Sequence, residues 1–282
     1  MSVINCSGQL VDLSLPKVMG IVNTTPDSFY DGGKLKTDAH ILNQVGSMLE
    51  EGATFIDVGA YSSRPDGSHI SVDEELRRLL PVLDVIVKEF DIMGLSCDSF
   101  RGSVIQKSLE HGANMVNDIS AGLLDPKMME IVAQAQVPYI MMHMRGTPQT
   151  MRQYTDYDNI VLDLNLYFSE RIASARAFGI NDVIIDPGFG FAKTREQNFE
   201  LLSQLELLQA QEVPILAGIS RKSMIYKTLD IEAKEALNGT TALHMVCLQQ
   251  GANILRVHDV REAMETIRLF EQLNLSHPKK NI

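Results

Sequence analysis

Eight short apolar segments of the chain each run out into side chains that can bind or react. Asn23 ends VMGIVN, Tyr61 to Arg64 follow TFIDVGA, Asp98 ends LSCD and Asn117 ends MVN. His143 closes YIMMH, Asp186 closes DVIID, Lys222 lies just beyond PILAGIS, and Arg256 and His258 sit on ILRVHD. Asp98, Asn117 and Asp186 offer two carboxylates and an amide, a set that suits the edge of a heterocycle with ring N–H and exocyclic amino donors. Asn23, Arg64, Arg256 and His258 offer cations, donors and a hard oxygen, a set that suits a phosphate and its divalent cation. A flat, donor-rich ring carrying a polyphosphate is the ligand class this division implies. Any single Asp or Asn among them, taken alone, fits at least as well as a cap for the helix that follows it. Capping does not account for Arg256 and His258, which the period of two turns to the same side of one strand.

The segments that must position these groups alternate regularly. The strand-length runs begin at Val18, Thr54, Leu95, Met115, Tyr139, Asp182, Pro214 and Ile254, and stretches with helical apolar spacing lie between them. Ile41, Leu42, Val45, Met48 and Leu49 form one such stripe, and Phe199, Leu202 and Leu205 another. The joins EEGATFIDV, EHGANMVND and QQGANILRV, with FGINDVIID as a looser copy, each put a glycine between helix and strand, where a left-handed C-cap needs one. Eight near-continuous apolar strands alternating with helices predict an α/β fold, a single-domain (β/α)8 barrel over residues 18–275, with an open doubly wound sheet as the alternative. Residues 1–17 alternate around Gly8 and are expected to form a hairpin closing the barrel's base, and 276–282 a tail. Reacting groups of such a barrel lie where strands pass into the following loops. The loop NTTPDSFYDGG from Asn23, with its hydroxyls, its proline and its paired glycines, reads as an active-site lid. The loop AYSSRPDGS from Ala60 sets an arginine among serines, a holder for an anion such as a carboxylate.

Composition narrows the class further. The 282 residues are 45% hydrophobic and 22% charged, with a formal net charge of −11, which argues against nucleic acid or an anionic membrane as the main partner. Cys6, Cys97 and Cys247 are too few and too widely spaced for a disulfide framework or a zinc site, so a reducing compartment, the cytoplasm, is expected. No run approaches the ~20 apolar residues of a membrane span. GFGFAKT from Gly188 lacks the dinucleotide GxGxxG spacing, and GISRKSM from Gly218 lacks the Walker pattern. Lys222, beyond its strand, is expected to be a solvated amine that binds a carbonyl or carboxylate rather than a Schiff-base lysine.

Taken together and in order, VMGIVNTTPDSFYDGG, GATFIDVGAYSSRP, VNDIS, MMHMRGTPQTM, IIDPGFGFAKT, GISRKS and LRVHDV resemble the signatures and later blocks of the dihydropteroate synthase family, which are pterin-binding TIM barrels. The resemblance implies condensation of a dihydropterin pyrophosphate with 4-aminobenzoate in folate biosynthesis, with Mg2+ as cofactor and a homodimer as the assembly. By that resemblance the pterin is held at Asp98, Asn117, Asp186 and Lys222, with Met142 and Gly218 lining the pocket. Pyrophosphate falls to Asn23, Ser63, Arg256 and His258, with Asn23 as the metal ligand. The 4-aminobenzoate falls to Thr24, Phe29, Arg64, Pro65, Phe191, Lys222 and Ser223. Catalysis is then assigned to Asp98, Lys222, Arg256 and His258. The second signature departs from the usual Glu-Ser-Thr-Arg-Pro-Gly at Tyr61, Ser63 and Asp66; Ser63 keeps the hydroxyl, while Tyr61 and Asp66 bear on the shape of the loop. Cys97, in SCDSF, is expected to be a small packing residue. The competing readings are a methyltetrahydrofolate-dependent methyltransferase and a non-catalytic pterin-binding paralogue, both disfavoured by the presence of both loop signatures.

Overall fold

In the computed structural model, which describes residues 3–24, 33–63, 67 and 69–276, an antiparallel hairpin of β1 (Val3–Cys6) and β2 (Gln9–Asp12) precedes eight parallel strands. These are β3 (Lys17–Asn23), β4 (Phe55–Gly59), β5 (Gly94–Asp98), β6 (Met115–Asp118), β7 (Tyr139–Met142), β8 (Val183–Asp186), β9 (Leu216–Ala217) and β10 (Ile254–Val257). The helices between and after them are α1 (Gly33–Glu50), α2 (Val72–Glu89), α3 (Gly102–Glu110), α4 (Met128–Ala135), α5 (Ile160–Ala177), α6 (Arg195–Ser203), α7 (Ser223–Leu229), α8 (Leu237–Gln249) and α9 (Val260–Ser276). The sheet runs β8-β7-β6-β5-β4-β3-β10-β9, and a parallel bridge between Ile185 and Ile215 joins its two ends, so the strands form a barrel. The eight expected strands and the hairpin are all present.

Local chemistry explains the elements. Gly52, Gly112, Gly179 and Gly251, the glycines of the repeated joins, all have positive φ, between 86° and 107°, the backbone that a left-handed helix end requires. Ser71 caps α2 by accepting from the Glu74 N–H, with Asp73, Glu74 and Glu75 in the first turn, and Leu79, Val82, Leu83 and Ile86 buried on one face. α6 opens on a reciprocal capping box between Thr194 and Gln197.

The barrel's lower interior is apolar and is sealed by the hairpin. Met19, Phe55, Met115, Ile140, Ile184, Leu216 and Ile254 point inward there and pack on Ile4, Cys6, Val11 and Leu13 from the hairpin and the residue after it. All seven strand residues are fully buried, and burying a side chain of that size stabilises by roughly 1.5–3 kcal/mol. The Leu13 carbonyl also accepts from the Asn253 side-chain amide at 3.0 Å, tying the hairpin to the approach of β10. No helix among the described residues is long and apolar enough to cross a membrane.

Candidate active site

One step of two residues along four of the strands takes the interior from apolar to polar. Asp57 follows Phe55, Asn117 follows Met115, Asp186 follows Ile184 and Arg256 follows Ile254, all on the inward face by the alternation of the strand. Strand register places Gly59 beside Asp98, Asp98 beside Asn117 and Met142 beside Asp186. The polar ends therefore meet around one opening.

Arg256 is the centre of that opening. Its Nε donates to Asp57 Oδ2 at 2.6 Å and its terminal nitrogen to Asp98 Oδ2 at 2.8 Å, while Asn117 donates to the same Asp57 oxygen at 2.9 Å. Burial works against the guanidinium's charge, but Asp57 and Asp98 carry its pKa above the ordinary arginine value. Asp98, 21% exposed toward the opening, is pushed up to about 7, chiefly by burial, with Arg256 opposing and Asp57, Glu75 and Asp118 adding. Oδ1 of Asp57 is buried and without a hydrogen-bond partner among the described residues, an omission that costs about 1–3 kcal/mol unless a donor arrives.

Asp186 and Lys222 form the second side. Burial raises the Asp186 carboxyl, opposed by Lys222, and its Oδ1 accepts from the Gly188 N–H at 2.7 Å. The Lys222 amine donates to the Phe189 carbonyl and stands 4.9 Å from the centre of the Phe191 ring. Gly218 lies between them: a Cβ there would be in ordinary contact with both, 3.7 Å from Asp186 Oδ2 and 3.9 Å from Lys222 Nζ. His258 shares Ser220 Oγ, which lies 3.1 Å from its Nδ1 and accepts from its backbone N–H at 3.3 Å.

Of the other candidates, Met142 is buried, Ser63 and Ser223 are half-buried, and Asn23 ends β3 exposed. Thr24 is buried, and its backbone N–H and hydroxyl both donate to the Gly59 carbonyl. Phe29, Arg64 and Pro65 lie outside the described residues, as do the tip of the expected lid and Asp66. Two expectations change. Lys222 is half-buried and not a freely solvated amine: burial, resisted by Asp186 and reinforced by Arg256, lowers its pKa to about 8, because the turn after β8 folds over it. The clean division of the rim into an acceptor half and a cationic half also gives way, since Arg256 stands between two carboxylates and belongs to both. Cys97 is a packing residue as expected: it is buried against Ser108, and burial pushes its thiol up.

Sequence reasoning passed over several residues. Asp57 was hidden inside an apolar strand, although its alternation with Phe55 and Gly59 marks it as inward. Glu75, fully buried in the first turn of α2, accepts from Ser99 at 2.7 Å and pairs with Arg101 at 2.6 Å, which braces the end of β5. Tyr61, the departure in the second signature, takes a hydrogen bond from Gln149 at 2.8 Å, lies 3.1 Å from His69 Nδ1 and packs edge-on against Phe100. Two cavities lie away from the opening: one of about 340 Å3 beside Arg145 and Tyr154, and one of about 440 Å3 beside the hairpin and Phe90. Neither is lined by Asp98, Asp186, Lys222 or Arg256, so the convergence of charge and not cavity size marks the site.

Comparison with known proteins gives concordant results. Residues 19–258 match the model of a family described as pterin binding enzyme. The dihydropteroate synthase of Escherichia coli is 41% identical over 266 residues, 94% of each chain, and that of Synechocystis sp. is 44% identical over 253 residues, 89% of this chain and 87% of that one. Among solved structures, the Yersinia pestis dihydropteroate synthase in a sulfonamide drug complex superposes with a TM-score of 0.90 at 38% identity, covering 97% of this chain and 99% of that one. The Xanthomonas albilineans dihydropteroate synthase with 4-aminobenzoic acid gives 0.89 at 37% identity, covering 96% and 98%.

Proposed function

The chain belongs to the pterin-binding enzymes and among them to the dihydropteroate synthases, and from that membership we propose how the polar mouth of its barrel does the work. The enzyme joins 6-hydroxymethyl-7,8-dihydropterin pyrophosphate to 4-aminobenzoate, giving 7,8-dihydropteroate and pyrophosphate in folate biosynthesis. The observation that carries the residue assignments is the cluster of Asp57, Asp98, Asn117, Asp186, Lys222 and Arg256 at the mouth of the barrel around Gly218.

In this reading Asp98, Asn117, Asp186 and Lys222 hold the pterin edge, with Met142 and Gly218 lining the pocket, and a ring donor satisfies the lone oxygen of Asp57. Asn23, Ser63, Arg256 and His258 face the pyrophosphate. Thr24, Phe191, Lys222 and Ser223 face 4-aminobenzoate, and Phe29, Arg64 and Pro65 join them on the motif match alone. The C–O bond between the pterin methylene and pyrophosphate breaks with its electron pair going to the leaving group, and the arylamine lone pair forms the new C–N bond before a proton leaves the nitrogen. The neutral arylamine is nucleophilic already, so no strong general base is required. Ionised Asp98 stabilises positive charge spreading from the methylene into the ring, and Arg256 and His258 offset charge on the departing pyrophosphate.

A Mg2+ ion, when bound, would add neutralisation of the leaving group. The exposed Asn23 amide oxygen is the hard donor the chain offers it. The described residues contain no cluster of three or more His, Cys, Asp or Glu suited to a metal, which fits an ion held largely by water and substrate phosphates. A cytoplasmic homodimer completes the proposal. It is supported by three free, buried cysteines and by Leu269 and Leu273, 63% and 53% exposed one turn apart on α9. Dihydropteroate formation, measured with both substrates, with each alone and with and without Mg2+, tests the reaction. Turnover that requires both substrates and Mg2+ is expected, and pyrophosphate release with the pterin substrate alone at the full rate seen with both substrates would refute the coupling.

A further inference from the structure

Lys193 is a buried lysine with no carboxylate in hydrogen-bonding contact among the described residues, which is a costly placement for an ammonium group. Its Nζ lies 3.0 Å from each of three acceptors: the Gly188 carbonyl, the Phe191 carbonyl and Nδ1 of His143. Burial pushes the Lys193 amine well below the usual lysine range, resisted by Asp186, and the three contacts, one for each N–H of an ammonium, hold the amine in place against that cost. His143, itself 1% exposed, is pushed well below the usual imidazole range by burial and then by Lys193 and Arg145, so it is neutral and can offer Nδ1 as an acceptor.

The acceptors are not scattered. Gly188 and Phe191 are the two ends of the turn after β8, closed by a backbone bond from the Phe191 N–H to the Gly188 carbonyl at 3.0 Å. Gly188 sits at φ 68°, and a Cβ there would lie 2.2 Å from the His143 carbonyl oxygen, so the turn is pressed directly onto the end of β7. Within the same turn, the Phe189 carbonyl accepts from the Lys222 amine and the Phe191 ring lies against it. We propose that Lys193 is a positioning residue of this enzyme: by tying Gly188, Phe191 and His143 together it fixes the turn that aims the Phe191 ring and the Lys222 amine at 4-aminobenzoate. This holds on the reading above, in which Phe191 faces that substrate.

Steady-state kinetics on Phe191→Ala, Lys193→Met and the double variant test it, with active sites titrated and melts recorded. Phe191→Ala tests the underlying reading by itself: an unchanged KM for 4-aminobenzoate there would remove Phe191 from the site whatever Lys193 does. Lys193→Met keeps the volume and loses the donors. It should raise the KM for 4-aminobenzoate about tenfold and that for the pterin pyrophosphate about threefold or less. Added to Phe191→Ala, it should raise the KM by less than about twofold more, because residues acting through one another are not additive. A role confined to stability would lower the melting temperature and leave both KM values alone, and that result, an equal rise in both, or full additivity with Phe191→Ala overturns the proposal. Should Lys193→Met not fold, His143→Leu and His143→Asn decide the matter. His143→Leu, which deletes the third acceptor, should raise the KM for 4-aminobenzoate about threefold, and His143→Asn, which keeps an acceptor there, should raise it less. A wild-type KM in His143→Leu would also overturn it.

Discussion

The two ends of the barrel are built from the same strands and differ by two residues. At the base, Met19, Phe55, Met115, Ile140, Ile184, Leu216 and Ile254 are fully buried over the hairpin. Two positions on, the same inward face carries Ile21, Asp57, Asn117, Met142, Asp186, Gly218 and Arg256. That step is about 6.6 Å of strand, and it separates a dry layer that pays for the fold from a mixed layer that holds Asp57, Asn117, Asp186 and Arg256. The lesson is a division of labour along each strand. The base can hold the barrel in shape without taking part in chemistry, and the mouth can keep costly groups such as Asp57, Asp98 and Lys222 because the base supports them.

The contrast predicts opposite responses to substitution at the two ends. Phe55→Ala should cost about 3–5 kcal/mol of stability in urea unfolding while kcat per folded molecule stays within about twofold. A comparable loss of kcat at unchanged stability would erase the distinction. Asp98→Asn should do the reverse and lower kcat/KM by about 10²–10³, near 3–4 kcal/mol, a loss like that of other charge-stabilising groups. Its stability should change by less than about 1 kcal/mol. Burial has raised the Asp98 pKa above its unfolded value, so the ionised carboxylate gives folding no net support at neutral pH.

The pH profile sharpens the same point. The working forms are ionised Asp98, raised to about 7, and protonated Lys222, lowered to about 8. The kcat/KM for the pterin substrate should therefore rise with pH through about 7 and fall through about 8. Asp98→Asn should remove the acid limb, and a limb that persists in that variant would belong to another group. Smallest of all, Ile4→Val in the hairpin should cost about 0.5–1.5 kcal/mol and leave kcat and both KM values unchanged.

Much of the mouth was legible because strand ends are local features. Asp98, Asn117, Asp186 and Arg256 each close or lie on an apolar run, and the period of two says which way they face. The residues that escaped are those whose partners are distant in sequence. Lys193 meets His143 across 50 positions and Arg256 meets Asp57 across 199, so neither contact is written in any local pattern. Lys222 was misjudged for a related reason: its burial comes from the Gly188–Phe191 turn, which belongs to another strand. Tyr61 was seen as a departure, but its partners Gln149 and Phe100 come from two other loops.

A crystal structure of the enzyme with 6-hydroxymethyl-7,8-dihydropterin pyrophosphate bound tests the central claim most directly. The account predicts the ring among Asp98, Asn117 and Asp186 beside Gly218, a ring donor on the free oxygen of Asp57, and the pyrophosphate toward Asn23 and His258. A ring seated instead in the cavity beside Arg145 and Tyr154, with the Asp57–Arg256–Asp98 cluster untouched, would contradict it.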